Sequence, residues 1–192
     1  YNDFLWFINN LSEDKRAYLL GALNVRYVMS FHPLKLPGLK FVKHSKEDPS
    51  WLYEIERVIP RVYVAQSNRF ETNPMQIMKY YSSPNFDPRS TVFVDQALPS
   101  WRTKEFSAKA EIVRYGDQSV RLHVTSNGAG VLVLADSYFP GWRVYVDGKE
   151  EKVLRANYFF RGVVINAGEH RVEFKYQPMF FKIGLIISLL TA

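Results

Sequence analysis

The chain contains no cysteine, and that absence removes a wide range of chemistry. It excludes disulfide bridges, thiolate metal sites and cysteine nucleophiles. It leaves the compartment open, because proteins outside the cytoplasm need not carry disulfides. Histidine is also scarce. His32, His44, His123 and His170 are the whole set, and none has a second histidine or a carboxylate at zinc-ligand spacing of the HExxH kind. No G-x-S-x-G elbow and no glycine-rich phosphate loop occurs. Glu54 and Glu56 share one face of "WLYEIERV", but a carboxylate pair on one strand reads as a solvated face rather than a hydrolytic couple. No catalytic residue, metal ligand or cofactor site is therefore expected. The net charge of +6 comes without a basic block, since basic and acidic residues alternate in "EIERVIPR" and "VDGKEEKVLR". That mixing argues against a nucleic-acid partner, which needs a clustered cationic footprint.

What is present is apolar and aromatic. Hydrophobic residues make up 47% and aromatic residues 16% of 192 positions, enough for a packed core and incompatible with disorder. The first hundred residues read as an α+β segment. "LSEDKRAYLLGALN" predicts a helix with Ser12 as N-cap, acidic Glu13 and Asp14 in its first turn and Asn24 at its end. "TNPMQIMKYYSS" predicts a second, with Pro74 at its first position behind Asn73. "VRYVMSF", "LKFVKH", "WLYEIERV", "RVYVAQS" and "TVFVD" are short and β-prone.

After Phe106 the pattern changes to strands of similar length separated by Gly116-Asp117, Asn127-Gly128, Pro140-Gly141, Asp147-Gly148 and Ala167-Gly168. This spacing predicts an antiparallel, jelly-roll-like β-sandwich over 105–177, preceded by the α+β segment at 1–100. Val120, Leu122 and Val124 face one way and Arg121, His123 and Thr125 the other. "VLVLA" is apolar on both faces and belongs at the centre of a sheet. In "SYFPGWRVYVDGK" the Asp147-Gly148 pair predicts a two-residue hairpin, and Trp142 shares a face with Val144 and Val146, which suits a core anchor.

The same stretch admits a second role. Sugars bind on aromatic faces flanked by planar hydrogen-bonding groups. Asp136, Tyr138, Trp142, Asn157 and Tyr158 could supply such a site near one end of the sandwich; the competing reading places Trp142 and Tyr138 in the core. The chain closes on "MFFKIGLIISLLTA", residues 179–192, with Lys182 as the one charge. It is shorter than the ~20 apolar residues of a full span. It has no polar face, as a transmembrane helix requires and a surface helix does not, so it is expected to begin such a helix; a core helix or strand is the alternative.

The run "DSYFPGWRVYVDGKEEKVLRANYFFRGVVINAGEHRVEFKYQPMFFKIGLIIS" resembles the C-terminal part of the YfhO-type bacterial membrane proteins. "LLGALNVRYVMS", "ERVIPRVYVAQ" and "NFDPRSTVFVD" are similar to further segments of that family, in order, from about residue 14 onward. The resemblance implies a polytopic protein of the cell membrane, similar to glycosyltransferases that use lipid-linked sugars at the outer face. It implies an extracytoplasmic accessory domain whose partners are its own upstream transmembrane domain, the membrane and a glycan or other cell-envelope polymer. The catalytic carboxylate of such enzymes lies in an early loop with no counterpart here, so no catalytic residue is carried over. A stand-alone carbohydrate-binding sandwich and a non-catalytic structural cap are the alternatives.

Overall fold

The computed structural model describes residues 2–178 and Ser188. The chain runs through helices α1 (Asn2–Asn10) and α2 (Glu13–Ala22) into strands β1 (Tyr27–Ser30), β2 (Leu39–Ser45) and β3 (Ser50–Ile55). Strands β4 (Val62–Ala65) and β5 (Ser67–Phe70), helix α3 (Pro74–Tyr81) and strand β6 (Thr91–Val94) follow. Next come β7 (Ala108–Tyr115), β8 (Ser119–Ser126), β9 (Gly130–Ser137) and β10 (Trp142–Val146). The last strands are β11 (Lys149–Glu151), β12 (Leu154–Ala156), β13 (Phe160–Ile165) and β14 (Gly168–Tyr176). The fold is mainly β with an α+β N-terminal part, as the turn spacing and strand patterning require.

Two sheets form the sandwich. One has five strands in the order β11-β10-β14-β8-β7, the other six in the order β4-β9-β13-β12-β6-β5. Every pair is antiparallel except β5 with β6. The six-stranded sheet draws β4, β5 and β6 from before residue 100, with Val62–Ala65 pairing along Val131–Leu134 of β9. A separate small sheet, β1-β3-β2, lies near the N-terminus.

Alternation along the strands produces two cores. Leu132, Leu134, Val163 and Ile165 point between the sheets and meet Val120, Leu122, Val124, Val144, Val172 and Phe174. Val131 and Val133 point the other way, where they join Leu19 and Ala22 of α2, Ile77 and Tyr81 of α3, and Phe93. The six-stranded sheet is thus covered on both faces, by a sheet on one side and helices on the other. This explains why "VLVLA" has no polar face, and β9 does sit inside the sheet between β4 and β13.

Local signals account for most element ends. The Asn73 side chain accepts from the Met75 and Gln76 N–H groups and Pro74 opens α3. Ser12 sits at the start of α2 but its hydroxyl makes no capping bond. Asn24 ends α2 in the left-handed region (φ 64°), and its amide donates to the Ile59 carbonyl at 2.7 Å, tying the helix to the approach of β4. Asp147 and Gly148 have φ of 52° and 84° between paired Val146 and Lys149, the two-residue hairpin read from the sequence. α1 was not expected, since "NDFLWFINN" carries no start signal of the kind that marks α3. The 179–192 run, expected to begin a transmembrane helix, lies outside the described residues apart from Ser188. Among the described residues no helix is long and apolar enough to cross a membrane.

Asn157 joins three strands. It is fully buried, at φ 52°, between β12 and β13. Its Oδ1 accepts from the Phe93 N–H at 2.8 Å, its Nδ2 donates to the Tyr63 hydroxyl at 2.9 Å, and its own N–H donates to the Phe93 carbonyl. Asn157→Ala removes two buried hydrogen bonds and places a Cβ-bearing residue without a local partner in the left-handed region. A loss of about 3 kcal/mol is expected from urea unfolding, with Asn157→Gly recovering roughly 1 kcal/mol by easing the backbone.

Candidate functional site

The open end of the sandwich is where the strand pattern breaks. Arg161 falls at a position of β13 in phase with Val163 and Ile165, so it enters the space between the sheets. It is only 3% exposed. A buried guanidinium needs a counter-charge, and Asp136, in phase with Leu132 and Leu134 on β9, supplies one. Arg161 Nη2 donates to Asp136 Oδ2 at 2.7 Å. Arg61, just ahead of β4, reaches the other oxygen, with Nε at 2.9 Å and Nη2 at 2.7 Å from Oδ1. The Tyr115 hydroxyl at the end of β7 donates to Asp136 Oδ2 at 3.2 Å and itself receives a bond from Arg61 Nη2.

Aromatic rings enclose this cluster. The Arg161 guanidinium carbon lies 3.6 Å from the centre of the Trp142 ring, and Arg61 lies over Tyr115 at 4.3 Å. Trp142 is half-buried and packs on Tyr176, its direct partner across the β10–β14 pair, with ring centres 5.3 Å apart. The turn before Trp142 explains the Pro-Gly of the sequence. Gly141 has φ of 102°, and a Cβ there would come within 3.0 Å of the Tyr176 ring. Its carbonyl accepts from the Gln177 N–H at 2.7 Å, holding β10 against the chain that leaves β14.

These groups line an open pocket of about 600 Å³, with Phe139 and Asp117 at its mouth and Phe139 59% exposed. Arg161 Nε and Nη1 are buried there without a hydrogen-bond partner among the described residues. Burial pulls the Arg161 pKa below the ordinary arginine value, and the neighbouring Asp136 charge opposes that pull. Burial, with the Asp136 charge second, raises the Tyr115 hydroxyl above the usual tyrosine value, so it remains a donor at neutral pH.

The sequence candidates separate. Asp136 and Trp142 come together in the end pocket. Tyr138 is half-buried nearby, its N–H donating to the Phe159 carbonyl, but it does not line the pocket. Asn157 is enclosed in the six-stranded sheet and its amide is used there. Tyr158 lies in a different small cavity, of about 30 Å³, under the Arg155 guanidinium at 4.0 Å. Arg61, Tyr115, Arg161 and Tyr176 were missed. Arg161 had a readable signal, a charge in phase with an apolar strand face in "FFRGVVI", whereas Arg61 and Tyr115 are joined to it only by the fold.

Elsewhere, an open depression of about 780 Å³ covers the outer face of the five-stranded sheet, where Arg121 and Lys175 share Glu173 and Arg171 lies beside them. Among the described residues no group of three or more histidines and carboxylates could hold a metal ion. Glu54 of "EIE" pairs with Arg26 at 3.2 Å.

The chain is thus a two-sheet domain with an aromatic, ion-paired end pocket. Residues 93–188 match the family described as bacterial membrane protein YfhO, and the chain belongs to that family. It is similar to the uncharacterized protein YfhO of Bacillus subtilis (strain 168), with 37% identity over 60 residues. That alignment covers 31% of this chain and 7% of the length of the Bacillus protein. No solved structure matches.

The ion cluster makes an ordered set of stability changes. Asp136→Ala strands the buried Arg161 charge and is expected to cost about 3–5 kcal/mol in urea unfolding. Arg161→Met leaves Asp136 with Arg61 and Tyr115 and costs less. Arg61→Ala removes the partly exposed partner and costs about 1 kcal/mol or below. Equal losses for all three would contradict the central place of Arg161.

Proposed function

We propose that this chain forms an extracytoplasmic, membrane-proximal accessory domain of a polytopic membrane protein whose membrane part is glycosyltransferase-like. In this reading the end pocket receives a sugar unit of a cell-envelope polymer, and residues 179–192 begin the helix that anchors the domain. The observation that carries it is the pocket itself, where Phe139, Trp142, Tyr115 and Tyr176 surround a carboxylate held between two guanidinium groups. Aromatic faces take the apolar side of a pyranose, while carboxylate and guanidinium groups meet vicinal hydroxyls. The pocket charges balance, Arg61 and Arg161 against Asp117 and Asp136, which favours an uncharged sugar ring over a phosphate. Membership of a membrane-protein family supports the setting. The domain guides or retains the polymer, and chemistry belongs to the membrane part.

Glycan-array binding followed by calorimetry on the 192-residue chain tests this. Phe139→Ala is the informative variant, because Phe139 is exposed and outside the ion cluster. The expected result is saturable binding of a neutral cell-envelope glycan, weakened at least tenfold by Phe139→Ala with an unchanged melting temperature. No binding to any glycan, or binding indifferent to Phe139→Ala, would leave the ion cluster as a plug that closes the sandwich, and the glycan reading would fail.

A further inference from the structure

The small β1-β3-β2 sheet carries an unusual surface. Of eleven large hydrophobic side chains exposed among the described residues, five lie between positions 27 and 42: Tyr27, Met29, Phe31, Phe41 and Val42. Met29 is 64% and Phe31 63% exposed. Register sorts them. Met29 is opposite Leu52, which is opposite Lys43, and Tyr27 is opposite Glu54, which is opposite Lys40. One face therefore presents Tyr27, Met29 and Leu52 beside Lys40 and Lys43. The other face holds Tyr53 and Ile55, both buried, with Phe41 opposite Tyr53, so it is the inner one and Phe41 does not belong to the outer patch.

Charge is one-signed here. "HPLKLPGLKFVKHSK", residues 32–46, contains Lys35, Lys40, Lys43 and Lys46 and no acid. None of these lysines forms an ion pair among the described residues. The one acid on the outer face, Glu54, is held by Arg26 at 3.2 Å; Glu47 and Asp48 sit in the β2–β3 turn.

We infer that this sheet face is a membrane-contact surface that rests on a bilayer containing anionic lipid. Contiguous exposed apolar surface marks a contact site. Aromatic and methionine side chains settle at the headgroup level, while lysines lie along them and reach anionic headgroups. A second copy of the chain is a poorer occupant, because a two-fold contact would oppose lysine to lysine. The family is one of membrane proteins, so a bilayer is at hand. The inference is independent of the glycan pocket.

The absence of cysteine allows a clean test, since Met29→Cys and Val113→Cys each create a single thiol for an environment-sensitive fluorophore. Val113 is an exposed control on β7 of the five-stranded sheet. The full chain is mixed with vesicles of phosphatidylcholine, with or without phosphatidylglycerol. The probe at 29 is expected to brighten and shift to the blue with phosphatidylglycerol vesicles, to respond far less to phosphatidylcholine alone, and to lose the response as salt rises. Lys40→Gln with Lys43→Gln weakens vesicle affinity about twenty-five-fold, from roughly a fivefold loss per lysine. The probe at 113 stays unchanged. Equal responses at 29 and 113 would mean that residues 179–192 alone bring the chain to the vesicle, and would overturn the inference. So would no response at 29, a response indifferent to anionic lipid, or one that grows with protein concentration without vesicles, which would identify a second copy as the occupant.

Discussion

Strand β9 is apolar on both faces, and water has to be kept from each of them. That constraint organises most of the molecule. A sheet with one apolar face needs one cover, but β9 needs two. The five-stranded sheet supplies the first, through Val120, Leu122 and Phe174. Helices α2 and α3 supply the second, through Leu19, Ile77 and Tyr81. Each fully buried aliphatic side chain contributes about 1.5–3 kcal/mol relative to exposure, so the doubly covered strand outweighs any single polar contact. The N-terminal segment is consequently part of the same packing: β4 pairs directly with β9, and the loop carrying Arg61 is held by the bond from the Ala135 N–H to the Arg61 carbonyl.

The end of the sandwich follows from the same alternation. Where β9 and β13 leave the core, the next inward positions are Asp136 and Arg161 rather than Leu or Val. Two charges in such a place are costly to desolvate, and they are tolerated only with close partners. Arg61, Tyr115 and the Trp142 ring complete the set. A closed hydrophobic plug would stabilise the end at least as well, so stability alone does not account for a polar and aromatic arrangement around an open pocket.

Sequence legibility varied with the range of the cause. Asp147-Gly148 was readable because a type I′ turn is decided by two adjacent residues with positive φ. Asn73-Pro74 was readable because a cap acts within one turn of helix. Asn157 was not. Its composition suggested a sugar contact, but its amide bonds Phe93 and Tyr63, which lie 64 and 94 residues away. Trp142 is half-buried, packed on Arg161 and the core while also lining the pocket, because it opens β10 at the sandwich end.

The sequence by itself determined the strands, their inward faces, the tight turns and the caps, since each depends on neighbours a few positions apart. It also carried the family signature, which lies in ordered local motifs. The tertiary structure alone decided that β4, β5 and β6 join the sandwich, that Arg61 and Tyr115 converge on Asp136, and that Tyr27, Met29 and Leu52 share a face with Lys40 and Lys43. Those outcomes depend on pairing partners far apart in the chain. Many pairings satisfy the local pattern equally well, and packing against both faces of one apolar strand selects among them.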